Sequence, residues 1–285
     1  MAFTNTTELK FIVDSSIDSV ARTWLKDKLE TIIETLSAKE LYLTYSLLAS
    51  KVNTDNQLEI KGIGNSELKN YLSTHDANAL QVSRMYLLSK VLNENEEYFR
   101  PKVVNLIQVA DTGEMETFLK FLILLPNPEN YKQAAVEALR TNIATVFDAI
   151  SADNPYPAKY FNDQQWNQMY LKAAFMQQDL SRIQDVDDRA NADLARIISD
   201  YAHERWAASR DVDPLFWRPV GAFLKGDLLK DMMRLLQSDD PSENRAGALC
   251  CFQSDNPEAK ALLEKHPELR KKVADGTITW SKITN

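Results

Sequence analysis

Apolar positions along the chain recur at spacings of three and four, the period of an amphipathic helix rather than the alternation of a strand. The first clear case is SVARTWLKDKLETIIETLS, where Trp24, Leu25, Leu29, Ile32, Ile33 and Leu36 gather on one side of a helix. Further helices are expected in KELYLTYSLLASK and ALQVSRMYLLSKVL. Between these two, NTDNQLEIKGIGNSELKNYLSTHD sustains no period and reads as a mobile loop or small excursion. Residues 1–100 are therefore expected to form a small helical bundle.

From 101 to 285 the pattern is punctuated by proline. Asn127-Pro128, Asp213-Pro214, Asp240-Pro241, Asn256-Pro257 and His266-Pro267 each stand just before a helical stretch. All but the last put a short polar side chain at the N-cap and proline in the first turn, where its missing N–H costs nothing. Asp240-Pro241-Ser242-Glu243 adds a carboxylate at the third helical position, as in a capping box. Short helices that restart in this way point to antiparallel pairs stacked as a HEAT-like right-handed α-α array. The segments LLPNPENYKQAAVEAL and LLQSDDPSENRAGAL match only loosely, as a degenerate repeat would. The expected fold is all-α, with the 1–100 bundle and the 101–285 region packed as one continuous unit.

Composition narrows the function classes. Only 7 residues are glycine, few for the hairpins and bulges of a sheet protein. Gly62-Ile63-Gly64 continues into neither GxGxxG nor GxxxxGK, so no phosphate loop is read. A net charge of −8 opposes nucleic-acid binding, and Arg270-Lys271-Lys272 reads as a helix terminus complementing the macrodipole. The longest apolar run, Phe118 to Leu125, is far below the roughly 20 residues that span a bilayer. MAFTNTTELKF lacks the core of a signal peptide, so a cytoplasmic location is expected. Cys250 and Cys251, adjacent on a helix and so about 100° apart, read as packing thiols rather than a disulfide or metal pair. No cofactor and no metal site is expected.

Chemistry concentrates in two stretches. In NPYPAKYFNDQQWNQMYLKAAFM, Asn154, Tyr156 and Tyr160 belong to a proline-stiffened connector, Asp163 is placed to cap a helix, and apolar residues from Trp166 to Met176 cover all sides of it. Lys172 and Asn167 interrupt that surface, and a buried ammonium needs a partner or a route to water. Partners are sought in neighbouring segments: Asn142, on the fringe of an apolar stripe in the helix expected over VEALRTNIATVFDAI, and Arg189 and Asn191 at the start of the next helix, with Arg140 beside Asn142 a further ligand- or partner-binding candidate. That helix carries the second stretch: Tyr201 and Arg205 fall on its apolar line, while His203 and Glu204 share its polar side with Asp200, next to Trp206. His203-Glu204 opens like HExxH but meets Ala207, so zinc is not read. Each residue also has a structural role open to it: Asn142 and Asn167 as partners of backbone in the connector, Arg196 and Asp200 as an ordinary i, i+4 pair, and Asp187 and Asp188 as a solvated turn.

ALRTNIATVFDAI, NPYPAKYFNDQQWNQMYLKAAF, DDRANADLARIISDYAHERWAASR and LFWRPVG, continuing through SDDPSENRAGALCCFQSDNPEAKALLEKHPEL to GTITW, resemble the EboA family. The resemblance covers residues 100–285 closely and the first hundred more loosely through WLKDKLETI and LYLTYSLL. It implies a bacterial protein from a gene cluster for moving secondary-metabolite precursors out of the cytoplasm. The neighbours it implies are a UbiA-like prenyltransferase, a TatD-like hydrolase, a dehydroquinate-synthase-like enzyme, a TIM-barrel isomerase-like protein and a phosphatase-like protein.

Three readings follow. In the first the chain is a non-catalytic adaptor or carrier that holds a small molecule, a partner protein or both, through aromatic and arginine residues of the kind that anchor interfaces and pockets. In the second it is a helical enzyme acting on an isoprenoid or phenolic metabolite, with Lys172 or Arg189 holding an anion and His203 and Glu204 moving protons; Asp185-Val186-Asp187-Asp188 only weakly imitates the aspartate-rich Mg²⁺ motifs of such enzymes. In the third the polar cluster is core, and function sits on the exposed surface of residues 230–275.

Overall fold

The computed structural model describes residues 6–55 and 58–283. It is all-α: among the described residues there are seventeen α-helices, six 3-10 segments and no strand. Two compact units are present, one up to Tyr156 and one from Pro157 onward.

The first unit holds α1 (Thr6–Ser16), α2 (Ser19–Thr35), α3 (Ala38–Leu47), α4 (Ser66–Thr74), α5 (Ala79–Glu94), α6 (Glu96–Val104), α7 (Leu106–Val109), α8 (Thr112–Lys120), α9 (Lys132–Ala138) and α10 (Ala144–Ser151). Sequence periodicity missed α1, although Leu9, Ile12 and Val13 are buried at helical spacing against α5. It also missed α4, which lies inside the polar stretch read as a loop. There Asn65 accepts a hydrogen bond from the Leu68 N–H at 3.0 Å as N-cap, and Leu68, Tyr71 and Leu72 face inward. Asn56 and Gln57 of that stretch, and Met1–Asn5 of the N-terminal segment, lie outside the described residues.

The unit does not end near residue 100 because residues beyond it complete its core. Tyr42 donates to Lys102 O and Tyr45 to Glu114 O, both at 2.9 Å. Arg84, 5% exposed, donates to Tyr45 O and faces Glu114 across a buried ion pair. Phe99, Phe118, Phe121 and Phe147 are fully buried in the same core.

The second unit takes in most of α11 (Tyr156–Tyr160), then α12 (Asp163–Phe175), α13 (Ala192–Ala207), the 3-10 segment Pro214–Phe223, α14 (Asp227–Leu236), α15 (Pro241–Gln253), α16 (Pro257–Glu264) and α17 (Pro267–Ala274). Trp166, Tyr170, Phe216 and Trp217 form its aromatic centre, with Tyr170 stacked on Phe216 at 5.5 Å. Gly247 sets the α14–α15 packing: a Cβ there would meet the Leu235 Cβ at 3.0 Å and Leu236 Cγ at 3.3 Å. Cys250 and Cys251 are buried beside this seam, Cys250 donating to Trp217 O. Burial pushes both thiols up, Cys251 to about 12, so they stay protonated and pack as small apolar groups.

The proline-punctuated starts are partly as expected. Asp213, Asp240 and Asn256 each accept an N–H two residues on at 2.8 Å. Asn127 does not cap; it sits in the left-handed region and gives its amide to Glu96. The Asp240 N–H goes to Ser238 Oγ at 3.1 Å, which leaves no place for the Glu243 capping box. Capping boxes form instead at Asn78–Gln81, Asp111–Glu114 and Asn162–Gln165.

Candidate functional site

The connector NPYP is organised by its own asparagine. Asn154, 2% exposed, donates to Leu119 O (3.2 Å) and Ala149 O (2.9 Å) and accepts the Tyr156 N–H (3.0 Å). Tyr156 is buried and donates to Pro128 O. Asn142 and Asn167 take no part in this network. The expected continuous helix through Asn142 breaks after α9, where the Ile143 N–H turns back to Thr141 Oγ1 at 3.1 Å. Asn142 is exposed in that break, and exposed Arg140 pairs with Glu137 on its own segment. These four candidates belong to the first unit, and the remaining eleven to the second.

The N-cap of α12 is Asn162, not Asp163: the Asn162 side chain accepts the Gln165 N–H while the Gln165 side chain accepts the Asn162 N–H. Its apolar residues do not bury it on all sides. Trp166, Met169, Tyr170 and Ala173 turn inward, whereas Phe175 is 72% exposed.

On the inward face the polar candidates hold the unit together. Arg189 donates to Pro157 O, Ala158 O and Phe161 O, reaches Asp163 at 3.2 Å, and lies 5.0 Å from the Trp166 ring. It thus closes the C-terminal end of α11, where unpaired carbonyls need donors. Asn167, 4% exposed, exchanges two amide hydrogen bonds with Asn191, at 3.1 and 2.9 Å. Asn191 is the N-cap of α13, accepting the Leu194 N–H at 2.9 Å, so this pair fixes where α13 starts. Tyr160 is half-buried with Lys159 over its ring.

On the outward face α12 and α13 frame a cleft of about 650 Å³. Leu171, Phe175 and Tyr201 supply apolar surface, and Lys172, Glu204, Arg205 and Arg210 supply charge. Tyr201 is braced edge-on by Phe216 at 5.3 Å. Arg205 donates twice to Asp211 O, at 3.0 and 2.8 Å, so it turns the chain after α13 as well as lining the cleft. Partial burial lowers the Lys172 ammonium below its ordinary range.

His203 is placed elsewhere. Its Nε2–H donates to Asp231 Oδ1 at 2.6 Å, and the Ser199 hydroxyl donates to Asp231 Oδ2 at 2.6 Å. Asp231 is 2% exposed and His203 about half exposed. Beside them Trp206 stacks on Trp217 at 5.7 Å, with the Arg234 guanidinium 4.1 Å from its ring. Ser199 and Asp231 were not foreseen. The signal was present, since Asp231 falls on the apolar line Leu228–Met232–Leu235 of α14, where a lone carboxylate needs partners. Asp187, read as part of a solvated turn, is held by both arms of Arg218 at 2.9 and 2.7 Å. Among the described residues no three His, Cys, Asp or Glu side chains gather as a metal site. No helix among them is long and apolar enough to cross a membrane.

The model of the family described as "Metabolite traffic protein EboA" matches residues 5–221 of the 285. The chain belongs to the EboA family. The match takes in the N-terminal helices, where the resemblance was looser, as well as α12, α13 and the cleft. It stops within the 3-10 segment Pro214–Phe223, so α14 to α17 lie beyond it. No curated protein and no solved structure matches the chain.

Proposed function

We propose that this EboA-family chain is a non-catalytic, cytosolic carrier or adaptor of metabolite traffic that holds a small molecule in the α12–α13 cleft. The observation that carries the reading is the make-up of that cleft. An aliphatic and aromatic wall stands beside three cations and one carboxylate, in a volume of about 650 Å³, within the range of small-molecule sites. Such a wall suits an apolar molecule that bears an anionic group. The enzymatic reading draws less support, because Arg189 is engaged by three carbonyls and His203 by Asp231, leaving Lys172 and Glu204 in the cleft without them. In the proposed role, a protein from the same gene cluster hands the molecule on. The candidates are the prenyltransferase-like, hydrolase-like, dehydroquinate-synthase-like and isomerase-like neighbours, docking on the helix pairs after Asp227.

Native mass spectrometry of the chain purified gently from its own host tests this. The expected result is a small-molecule adduct on the wild type that Lys172→Met and Phe175→Ser abolish while the protein stays folded. An adduct that survives both substitutions, or a wild type that carries only another polypeptide, overturns the reading.

A further inference from the structure

A second cleft opens in the first unit, where α1 and α2 meet α5. Its volume is about 470 Å³. Val13, Leu25 and Leu29, all at most 5% exposed, form an apolar floor. Lys10, Arg22, Lys26 and Lys90 line it against Asp14 and Glu30, an excess of two positive charges in a chain whose net charge is −8. Most of these cations are engaged on their own helices: Lys10 by Asp14, Lys26 by Glu30 and Lys90 by Glu94. Such solvent-exposed pairs are weak, so an incoming anion can share the ammonium groups at little cost.

Tyr86 sets this cleft apart. The residue is 7% exposed and lines the cleft, yet its hydroxyl makes no hydrogen bond among the described residues. Tyr42, Tyr45, Tyr156 and Tyr170 each donate to a backbone carbonyl, as buried phenols ordinarily do. The Tyr86 hydroxyl also differs from that of Tyr131, which is fully enclosed without a partner; it keeps access to solvent. Burial raises the Tyr86 phenol above its ordinary value, with Lys10 and Lys90 near enough to oppose the shift, so at neutral pH it is a hydrogen-bond donor.

We infer that this cleft is a second binding site, for an apolar molecule ending in an anionic oxygen group. The Tyr86 hydroxyl donates to that oxygen, Lys10 and Lys90 supply countercharge, and the Val13–Leu25–Leu29 floor takes the apolar body. The site shares no residue with the α12–α13 cleft and does not depend on the function proposed for that cleft.

Calorimetric titration of the full chain with dodecanoate tests the inference. Tyr86→Phe keeps the ring and removes only the donor, and it is expected to weaken binding about tenfold, the loss of one hydrogen bond to a charged group. Lys90→Met is expected to weaken it in the same sense. Phe175→Ser, in the other cleft, is expected to remove only what the α12–α13 cleft takes up and to leave the Tyr86-dependent binding in place. The inference is overturned if dodecanoate does not bind, if Tyr86→Phe and Lys90→Met bind as the wild type does, or if Phe175→Ser removes all binding. The last outcome would assign the ligand to the α12–α13 cleft alone.

Discussion

On the inward face of α12, Asn167 is 4% exposed and doubly paired with Asn191, and Arg189 packs over Trp166 while closing three carbonyls. On the outward face of the same helix, Lys172 is only partly buried and Phe175 is 72% exposed at the mouth of a cleft. Both faces mix aromatic and polar residues, so their composition does not separate them. What separates them is exposure. A buried polar group whose donors and acceptors are all met is bound into the fold, and its chemistry is directed at its neighbours. A half-buried charge beside exposed apolar surface lies within reach of an outside molecule.

Arg189→Met breaks this contrast most severely. It strips several charge-assisted donors from the end of α11 and removes the stacking on Trp166, and we expect a loss of about 3 kcal/mol in denaturant unfolding. A loss below about 1 kcal/mol would mean that water replaces the guanidinium and that Arg189 is available to a ligand after all.

Asn167→Ala comes next, at about 2 kcal/mol, because it leaves the Asn191 amide without its buried partner. A double-mutant cycle with Asn191→Ala isolates the pair from the capping role of Asn191. A coupling energy of about 1 kcal/mol or more is expected, and additivity would show that the two amides act separately.

Lys172→Met is expected to change stability least, by about 0.5 kcal/mol or less at neutral pH, while removing the ligand from the outward cleft. Its pH dependence sharpens the point. Burial places the folded-state value of this lysine below the 10.5 of an ordinary one, so between the two values the unfolded chain binds more protons. Wild-type stability therefore rises with pH across that window relative to the Met variant. Over the same window the lysine loses its charge in the folded protein, and affinity for an anionic ligand falls. Parallel unfolding curves for wild type and Lys172→Met up to pH 10.5 would show that the side chain is fully solvated.

Much of the helical content was legible because it depends on local periodicity. The α2, α3 and α5 stripes, the caps at Asp213, Asp240 and Asn256, and the inert cysteine pair all follow from residue spacing within one segment. The errors arose where a local pattern had two outcomes. Asn162 and Asp163 are both good N-caps, and Gln165 decides between them by reaching back. The stretch through Asn142 has helical spacing on both sides, but Thr141 offers the Ile143 N–H a side-chain acceptor and the helix breaks. The α12 run looked apolar all round because spacing alone does not reveal which sides have neighbours.

The candidate site was legible as a list of residues and not as an arrangement. By itself the sequence determined an all-α chain poor in glycine, the capped starts at Asp213, Asp240 and Asn256, and the segments where polar and aromatic residues crowd together. Those depend on backbone propensity, side-chain caps and periodicity, which act over a few residues. Tertiary structure alone decided that Asn167 meets Asn191, that His203 meets Asp231, that Arg189 is consumed by carbonyls and that Lys172 borders a cleft. Each of those outcomes rests on partners more than twenty residues away or on packed neighbours. Burial and pairing are properties of the assembled helices, and no single helix carries them in its own pattern.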